Sequence, residues 1–565
     1  VDTPRDVRGF AVKFYTPEGN WDLVGNNIPV FFIQDAMKFP DLVHAVKMEP
    51  DRGFPQAASA HDTFWDFVSL MPETLHTVMW AMSDRTLPRS LRMMEGFGVH
   101  SFRLLNAAGE STFVKFHWRP KLGIQSTVWD EAVKLQSADN DFHRRDLFES
   151  IEAGDFPEWE LSVQLFTDED AQDFPFDHLD PTKLIPEELI PLQPVGRMVL
   201  NRWPDNFFAE TEQVAFCPAN VPPGIDFSND PLLQGRLFSY LDTQLSRLGG
   251  PNFAQIPINA PKCPFHNNQR DGHMQMQVPK GRVNYEPSSL QADSPRASQA
   301  LGFRHFAQAD DGVKGRVRAE SFADHYSQAR MFYRSQSPLE QAHLASATVF
   351  ELSKVGTPHV REAVVGHLQH VDAELAQRVA DGLGMQALPP APPTVEPVQD
   401  LPLSPALRII DRMKPTLQGR AIGILVADGS NGTSVANLRK ALEKAGATVK
   451  IVAPKVGGAV LKDGTLLPAD GQLAGTPSVV FDAVASVLSP DMGAVLAKEA
   501  AAVDWFRDAF GHLKAIAACK GTQAILQAGG IEPDAGVVDP ADVQGFIAAA
   551  QTRQWDREPQ VRTLA

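Results

Sequence analysis

The stretch Ala387–Pro405 reads ALPPAPPTVEPVQDLPLSP. Proline has a fixed φ and no backbone N–H, so a run this dense supports neither a helix interior nor a central strand. Such a segment is extended and semi-stiff. The chain before residue 387 and the chain after residue 417 therefore build separate cores, with 387–417 as the connection.

The part after the connection is the easier to read. GRAIGILVADGSNG is a buried strand running into a glycine-bearing turn, SVANLRKALEKAGA is an amphipathic helix, and TVKIVAP is a second strand. SVVFDAVASVL, AKEAAAVDWFRDAFGH and KAIAAC continue the alternation. Strand and helix in turn predict a parallel sheet covered by helices on both faces, over 418–560.

The part before it changes character along its length. Over residues 1–200, RGFAVKFYT, IPVFFIQ, GVHSFRLLN, STFVKFHWRP and WELSVQLF read as strands, separated by turns such as TPEGNWD and NAAGES. Between them TFWDFVSLMPETLHTVMWAMSD is a helical insert, which predicts an antiparallel barrel or sheet with helices packed on it. Residues 201–315 are rich in Pro, Gly, Asn and Asp, the composition of a long functional or subunit-wrapping loop. Residues 316–386 return to helical spacing in SPLEQAHLASATVFELSKV and VREAVVGHLQHVDAELAQRVADGLG.

Charge and cysteine usage limit the partners. A net charge of −17 argues against nucleic acid or another polyanion. No apolar run reaches the roughly 18 residues that a membrane span needs. Cys217, Cys263 and Cys519 are too few and too scattered for a disulfide framework, which fits a reducing, cytoplasmic compartment.

One short motif carries chemistry. Tyr240 is one of 5 tyrosines, and on a helix Arg236 lies one turn before it and Arg247 two turns after, on the same stripe. A free phenol ionises near pH ~10, so a phenolate at neutral pH needs a cation nearby. Arginine suits that role because it does not lose its own proton. Taken alone, the pattern describes a core tyrosine between surface arginines. Three other motifs point to ordinary structure: HLQH (His367–His370) to a solvated helix face, ADGSNG to a tight turn, and Cys519 to an inert thiol.

RLFSYLDTQ, together with DVRGFAVKFYTPEGNWDLVGNNIPVFFIQDAMKFPD, SDRTLPRSLRMMEGFGVHSFRL and RLGGPNFAQIPINAP, resembles the monofunctional haem catalases, in the large-subunit group with an added C-terminal domain. The resemblance implies an α+β protein with four parts. They are an antiparallel β-barrel haem domain over 1–200, a wrapping loop over 201–315 that carries the proximal haem helix, an α-helical domain over 316–386, and an α/β domain over 418–560. That last domain is similar to flavodoxin-like, class I glutamine-amidotransferase-like folds. The implied activity is decomposition of hydrogen peroxide to water and dioxygen, protecting against oxidative stress. A haem peroxidase or phenol oxidase is the alternative enzyme, and a chaperone-like binding role of the C-terminal domain the alternative from another class.

The resemblance also assigns residues. Tyr240 falls on the axial iron ligand, tyrosine being the ligand known for haem catalases. Arg236 falls on its charge partner, held in turn by His100 and Asp230, and Arg247 on a propionate partner. Asn26 falls on the distal asparagine that hydrogen-bonds peroxide, Phe39 on the aromatic against the haem plane, and Asp6 on an acidic residue of the access channel. The implied cofactor is haem b or its modified d form. In place of the family's nucleotide-binding stretch stands KLIPEE (Lys183–Glu188), whose two glutamates repel phosphate, so no tight NADPH is expected. Cys217 stands where some large-subunit members join a side chain to the β-carbon of the proximal tyrosine, which makes a Cys217–Tyr240 crosslink an expectation. The implied assembly is a homotetramer. The chain opens mid-domain at VDTPRDVRGF, so the segment carrying the family's distal histidine is expected upstream, and none of the 16 histidines here is assigned that role.

Overall fold

The computed structural model describes the chain except residues 1, 57–60, 264–268, 292–297, 299–301, 310–311, 314, 316 and 563–565. The N-terminal half is organised on one antiparallel sheet of eight strands: β1 (Gly9–Thr16), β2 (Gly19–Asn26), β3 (Gly96–Phe97), β4 (Phe102–Leu105), β5 (Ser111–Pro120), β6 (Glu158–Phe166), β7 (Gln193–Val199) and β8 (Ile225–Phe227). β5 is the spine, pairing with β3, β4 and β6. Its alternation explains this, since Val114, Phe116 and Trp118 enter a core with Leu23, Phe102, Trp159 and Val163.

Two expectations are corrected here. IPVFFIQ is not a strand: Ile28–Gln34 runs as bends that send Ile28, Val30 and Ile33 into buried positions. The second strand is instead Gly19–Asn26, which begins inside the segment expected to be a turn. The turn itself is only Pro17–Glu18, because Thr16 pairs with Gly19, and Gly19 takes φ +120°. Gly25 brings β2 against β3 so closely that a Cβ there would lie 1.6 Å from the Phe97 carbonyl oxygen.

Around the sheet run α1 (Phe39–Ala45), α2 (Asp62–Leu70), α3 (Leu75–Met82), α4 (Trp129–Ala138), α5 (Phe142–Glu152), α6 (Asp168–Gln172) and α7 (Pro231–Arg247). Pro72 splits the helical insert into α2 and α3. Four more helices follow: α8 (Ser327–Ser335), α9 (Pro338–Ser353), α10 (Pro358–Val371) and α11 (Ala373–Gly382). They do not stand apart. Trp65 and Trp80 of the insert share one core with Tyr326, Phe332, Leu344 and Val365.

The C-terminal part holds β9 (Ala421–Val426), α12 (Gly432–Lys444), β10 (Thr448–Ala453), β11 (Ala459–Val460), β12 (Leu466–Leu467), β13 (Gly471–Gln472), β14 (Ala483–Val487), α13 (Pro490–Leu496), α14 (Ala500–Gly511), β15 (Ile516–Ala517), α15 (Gln523–Ala528), β16 (Val537–Val538), α16 (Val543–Ala550) and α17 (Glu558–Val561). Its main sheet is parallel, in the order β13-β10-β9-β14-β15-β16. One face packs on Val435, Leu438, Leu442 and Phe546, the other on Trp505, Phe506 and Ile525. Burial on both faces is why the strands are continuous apolar runs and not alternating ones.

The connection departs from a free spacer. His370 Nε2 donates to the Pro392 carbonyl at 2.7 Å, Ser404 N donates to Ser335 Oγ at 2.9 Å, and Ile409 N donates to Glu340 Oε1 at 2.8 Å. The prolines deny it a helix, so its remaining backbone donors are satisfied by the surface it crosses. HLQH is accordingly not a solvated face. His367 is buried between the Tyr326 hydroxyl and the Ser69 carbonyl, at 2.7 Å from each.

Candidate functional site

Helix α7 is started by Asp230. Its Oδ1 accepts from Leu232 N at 2.8 Å and Leu233 N at 3.1 Å, and Pro231 occupies the first helical position, where no N–H is missed. From this fixed start, residues four apart share a stripe. Arg236 Nη2 donates to the Tyr240 oxygen at 2.6 Å and to the Val24 carbonyl at 3.0 Å, with the guanidinium 5.1 Å from the tyrosine ring centroid. A donor with permanent charge on a phenol oxygen favours the phenolate. The contact to Val24 also ties α7 to β2, the strand that ends at Asn26.

Behind α7 lies His100. Its Nδ1–H donates to Asp230 Oδ2 at 2.5 Å, and both side chains are buried. Burial holds the imidazole below its usual range, against the pull of Asp230, and the charges of Arg236 and Lys115 push the same way. His100 is therefore neutral, and its tautomer is set by the carboxylate. The expected grip of His100 and Asp230 on Arg236 is corrected. Among the described residues the hydrogen bonds of Arg236, both from Nη2, go to Val24 and Tyr240, so the His100–Asp230 pair acts on it through the helix start and through the field. His100 follows Val99, a β-branched residue at φ +66°, a conformation costing on the order of 1–3 kcal/mol.

The remaining assigned residues fall into three groups. Asn26 Oδ1 accepts from Ile28 N at 2.7 Å, an Asx turn that leaves its amide nitrogen unpaired among the described residues. Phe39 opens α1, is 48% exposed, and stacks on Phe31 at 6.5 Å. It is held near α7 because Gly235 packs on Ala36, where a Cβ would lie 2.2 Å from the alanine's. Asp6 is exposed at the surface, its carboxyl held above the usual range by partial desolvation.

Arg247 does not extend into open space. Nη1 donates to the Glu212 carbonyl at 2.7 Å and Nη2 to the Val214 carbonyl at 2.6 Å, a forked grip on backbone where a propionate partner was expected. Cys217 is buried, with Sγ 3.7 Å from the carbonyl oxygen of Leu237 in the turn of α7 that carries Tyr240. Burial pushes its thiol above the usual range.

The KLIPEE segment is occupied by its own protein. Glu187 is salt-bridged to Arg119, and Glu188 accepts from Ser404 Oγ at 2.6 Å and Ala406 N at 3.0 Å. The cavity left between this segment, Trp80, His117 and Leu407 measures about 40 Å³. In the C-terminal part, Cys519 Sγ lies 3.2 Å from Leu488 N and 3.4 Å from its carbonyl oxygen, a thiol folded into the backbone. His512 faces the other way, 3.4 Å from Asp130. Among the described residues no group of three His, Cys, Asp or Glu could hold a bare metal ion, and no helix is long and apolar enough to cross a membrane.

What the Tyr240 surface offers is a different donor set: one phenol oxygen with a fixed cation on it, a half-exposed aromatic at Phe39, and an unpaired amide at Asn26. That fits an iron supplied within an apolar planar group, which needs a single axial oxygen from the protein. Sequence reasoning missed three contributors. The Val24 carbonyl is invisible to side-chain motifs, Gly235 matters through a helix contact, and Lys115 was hidden in STFVKFHWRP as one more strand residue. A lysine between the buried Val114 and Phe116 was the signal available.

Known proteins match this chain throughout. A family model described as catalase matches residues 1–292, one described as catalase-related immune-responsive matches 319–383, and one described as a C-terminal domain found in long catalases matches 418–559. The chain is 57% identical to catalase C of Rhizobium meliloti (strain 1021), over 99% of this chain and 80% of that protein. It is 53% identical to catalase HPII of Pseudomonas putida, over 99% of this chain and 79% of that protein. Against catalase-2 of Bacillus subtilis (strain 168) it is 50% identical, over 99% and 82%.

Proposed function

The chain belongs to the catalase family and is an enzyme that decomposes hydrogen peroxide, and on that premise we propose that it holds haem on the stripe of α7 with Tyr240 as the axial ligand. The observation that carries the assignment is the Arg236–Tyr240 hydrogen bond of 2.6 Å, a guanidinium donating to the one phenol on that stripe. Bound haem supplies an iron able to accept and return the electrons exchanged with peroxide.

The rest is done by side chains. Arg236 donates to the Tyr240 oxygen that would meet the iron, and His100 with Asp230 fixes where α7 begins. Asn26 offers two amide N–H groups to orient peroxide, and it neither ionises nor carries a group that peroxide attacks readily. Phe39, half-exposed beside α7, would pack against the haem and help exclude water. Asp6, exposed at the surface, is the residue assigned here to the entrance of the channel. Arg247 is held by the Glu212 and Val214 carbonyls at the far end of the same stripe.

Four finer points belong to the same reading. The about 40 Å³ left beside KLIPEE, with Glu188 capped by Ser404 and Ala406, supports an enzyme without tight NADPH. The exposed apolar side chains of the long loop, with Met276 at 53% and Val278 at 89%, support burial against other copies in a homotetramer. The parallel strand order supports a flavodoxin-like C-terminal domain. Cys217, beside the turn of Tyr240, supports the thioether. In it the Cys217 S–H and one Tyr240 Cβ–H are lost, an S–C bond forms, and their two electrons and two protons reduce one peroxide to two waters. The joined peptides would then weigh two hydrogens less than their sum, and separate, alkylatable peptides from turned-over enzyme would remove the thioether from this reading.

Tyr240→Phe tests the main assignment. The expected variant folds, keeps its far-ultraviolet spectrum and loses most of its haem. A variant that retains full haem and full turnover overturns the axial assignment.

A further inference from the structure

Lys115 lies on β5 between Val114 and Phe116 and is buried. Its ammonium donates to one protein acceptor, the carbonyl oxygen of Val99, at 2.8 Å. Among the described residues no carboxylate is in contact with it. Burial pushes its pKa down to about 8, with Asp230 and Asp180 pulling it back up from a distance. A desolvated cation without a contact ion is costly, and a methionine would fill the same strand position without that cost. Structural packing alone gives no reason for a lysine here.

The acceptor it has is informative. Val99 is at φ +66°, a left-handed conformation that a β-branched residue avoids. The next residue is His100, whose ring meets Asp230 at 2.5 Å, and Asp230 is the cap that starts α7. A tether on the Val99 carbonyl therefore holds the peptide that aims His100. Lys115 also lines the cavity of about 40 Å³ with His117 and Gln164, a space of water size.

We propose that Lys115 is a positioning residue for the peroxide reaction: its ammonium pins the left-handed Val99 peptide, which sets His100 against Asp230 and so fixes the register of the helix that carries Tyr240. It touches neither tyrosine nor substrate and acts through His100 and the helix start. The proposal rests on Tyr240 being the axial ligand, and it gives the lysine a task that the proximal residues alone do not explain.

The test is a two-residue cycle on the haem-loaded enzyme, using Lys115→Met and Val99→Gly. Glycine takes a positive φ without strain, so it removes the need for a pin. Lys115→Met is expected to keep its haem, to shift the tyrosinate-to-iron charge-transfer band, and to lose roughly tenfold in turnover, the low end of what outer partners of a ligand cost. Val99→Gly alone should leave the band in place. The double variant should regain most of the band position and the turnover. A Lys115→Met enzyme with the parental band and turnover overturns the proposal, and so does a shift that Val99→Gly fails to restore. Where Lys115→Met alone does not accumulate, the comparison is Val99→Gly against the double variant: matching bands support the pin, differing bands overturn it. If Tyr240→Phe keeps its haem, the axial reading is what fails. The pin is then judged by thermal midpoints of the same cycle, with rescue by glycine supporting it and independent losses overturning it.

Discussion

At the seam where the C-terminal part meets the N-terminal half, buried charges are met by opposite charges. Arg89 grips Asp482 with two bonds of 2.7 and 2.8 Å, Glu131 sits between Lys514 at 3.0 Å and Arg553 at 2.8 Å, and His343 is clasped by Asp84 at 2.6 Å and Glu558 at 3.1 Å. Around Tyr240 the same residue types are arranged otherwise. Arg236 and Lys115 donate to carbonyls and to a phenol, His100 is neutral, and Asp230 is the one carboxylate among them. The seam closes its charges on themselves and so holds two parts of the chain together. The tyrosine site keeps a surplus of positive charge, which suits the ligand role proposed for Tyr240. Pairing marks structure here, and imbalance marks chemistry.

Breaking the seam should give the largest effect. Glu131→Ala leaves Lys514 and Arg553 buried without their carboxylate, and a loss of about 3–5 kcal/mol is expected in chemical denaturation. A loss under about 1 kcal/mol would mean that the seam is no more balanced than the tyrosine site.

A pH titration of stability should come next. The Glu131 carboxyl is lowered to about 2 by Arg553 and Lys514 against its burial, so its contribution is present above its unfolded value near 4.5 and is lost as pH falls toward about 2. The His343 imidazole is raised to about 10 by Asp84 and Glu558 against its burial, so its contribution is complete below its unfolded value near 6.5 and is lost as pH rises toward about 10. The seam is therefore strongest between about 4.5 and 6.5, with a few kcal/mol lost along each limb. His343→Gln should flatten the alkaline limb alone, and an unchanged limb would exclude the clasp as its source.

Arg236→Leu sharpens the contrast from the other side. It removes surplus charge and takes no contact partner from a carboxylate, since Asp230 keeps His100 and the start of α7, so stability should change by about 1–2 kcal/mol while turnover of the haem-loaded enzyme falls roughly 10–100-fold. A stability loss as large as that of Glu131→Ala would erase the distinction. The smallest effect is expected at the strapped connection, where His370→Ala removes one hydrogen bond to Pro392, for about 1 kcal/mol and faster proteolysis near that proline.

Much of the architecture was legible. The alternation of STFVKFHWRP marked β5, and the apolar runs of GRAIGILV and SVVFDAVASV marked strands buried on two faces. IPVFFIQ misled because its buried residues sit on a bent backbone, and periodicity does not tell bend from strand over so few residues. At the site, the Arg236–Tyr240 spacing was readable from helix geometry, and the contact is there at 2.6 Å. The partners of Arg247, His367 and His370 were not readable, because each is a backbone carbonyl or hydroxyl brought in from a distant segment.

The sequence by itself determined the features that spacing along the chain sets: most of the strands and helices, a proline-rich connection dividing two cores, and an arginine and a tyrosine sharing one face of α7. Tertiary structure decided who meets whom. It put Lys115 under Val99, His100 against Asp230, and Glu131 between two cations of the C-terminal part. The physical reason is that periodicity is a local property, set by dihedral angles and repeats of a few residues. The sign and number of charges around a buried group depend on which distant segments pack there, and no repeat records that.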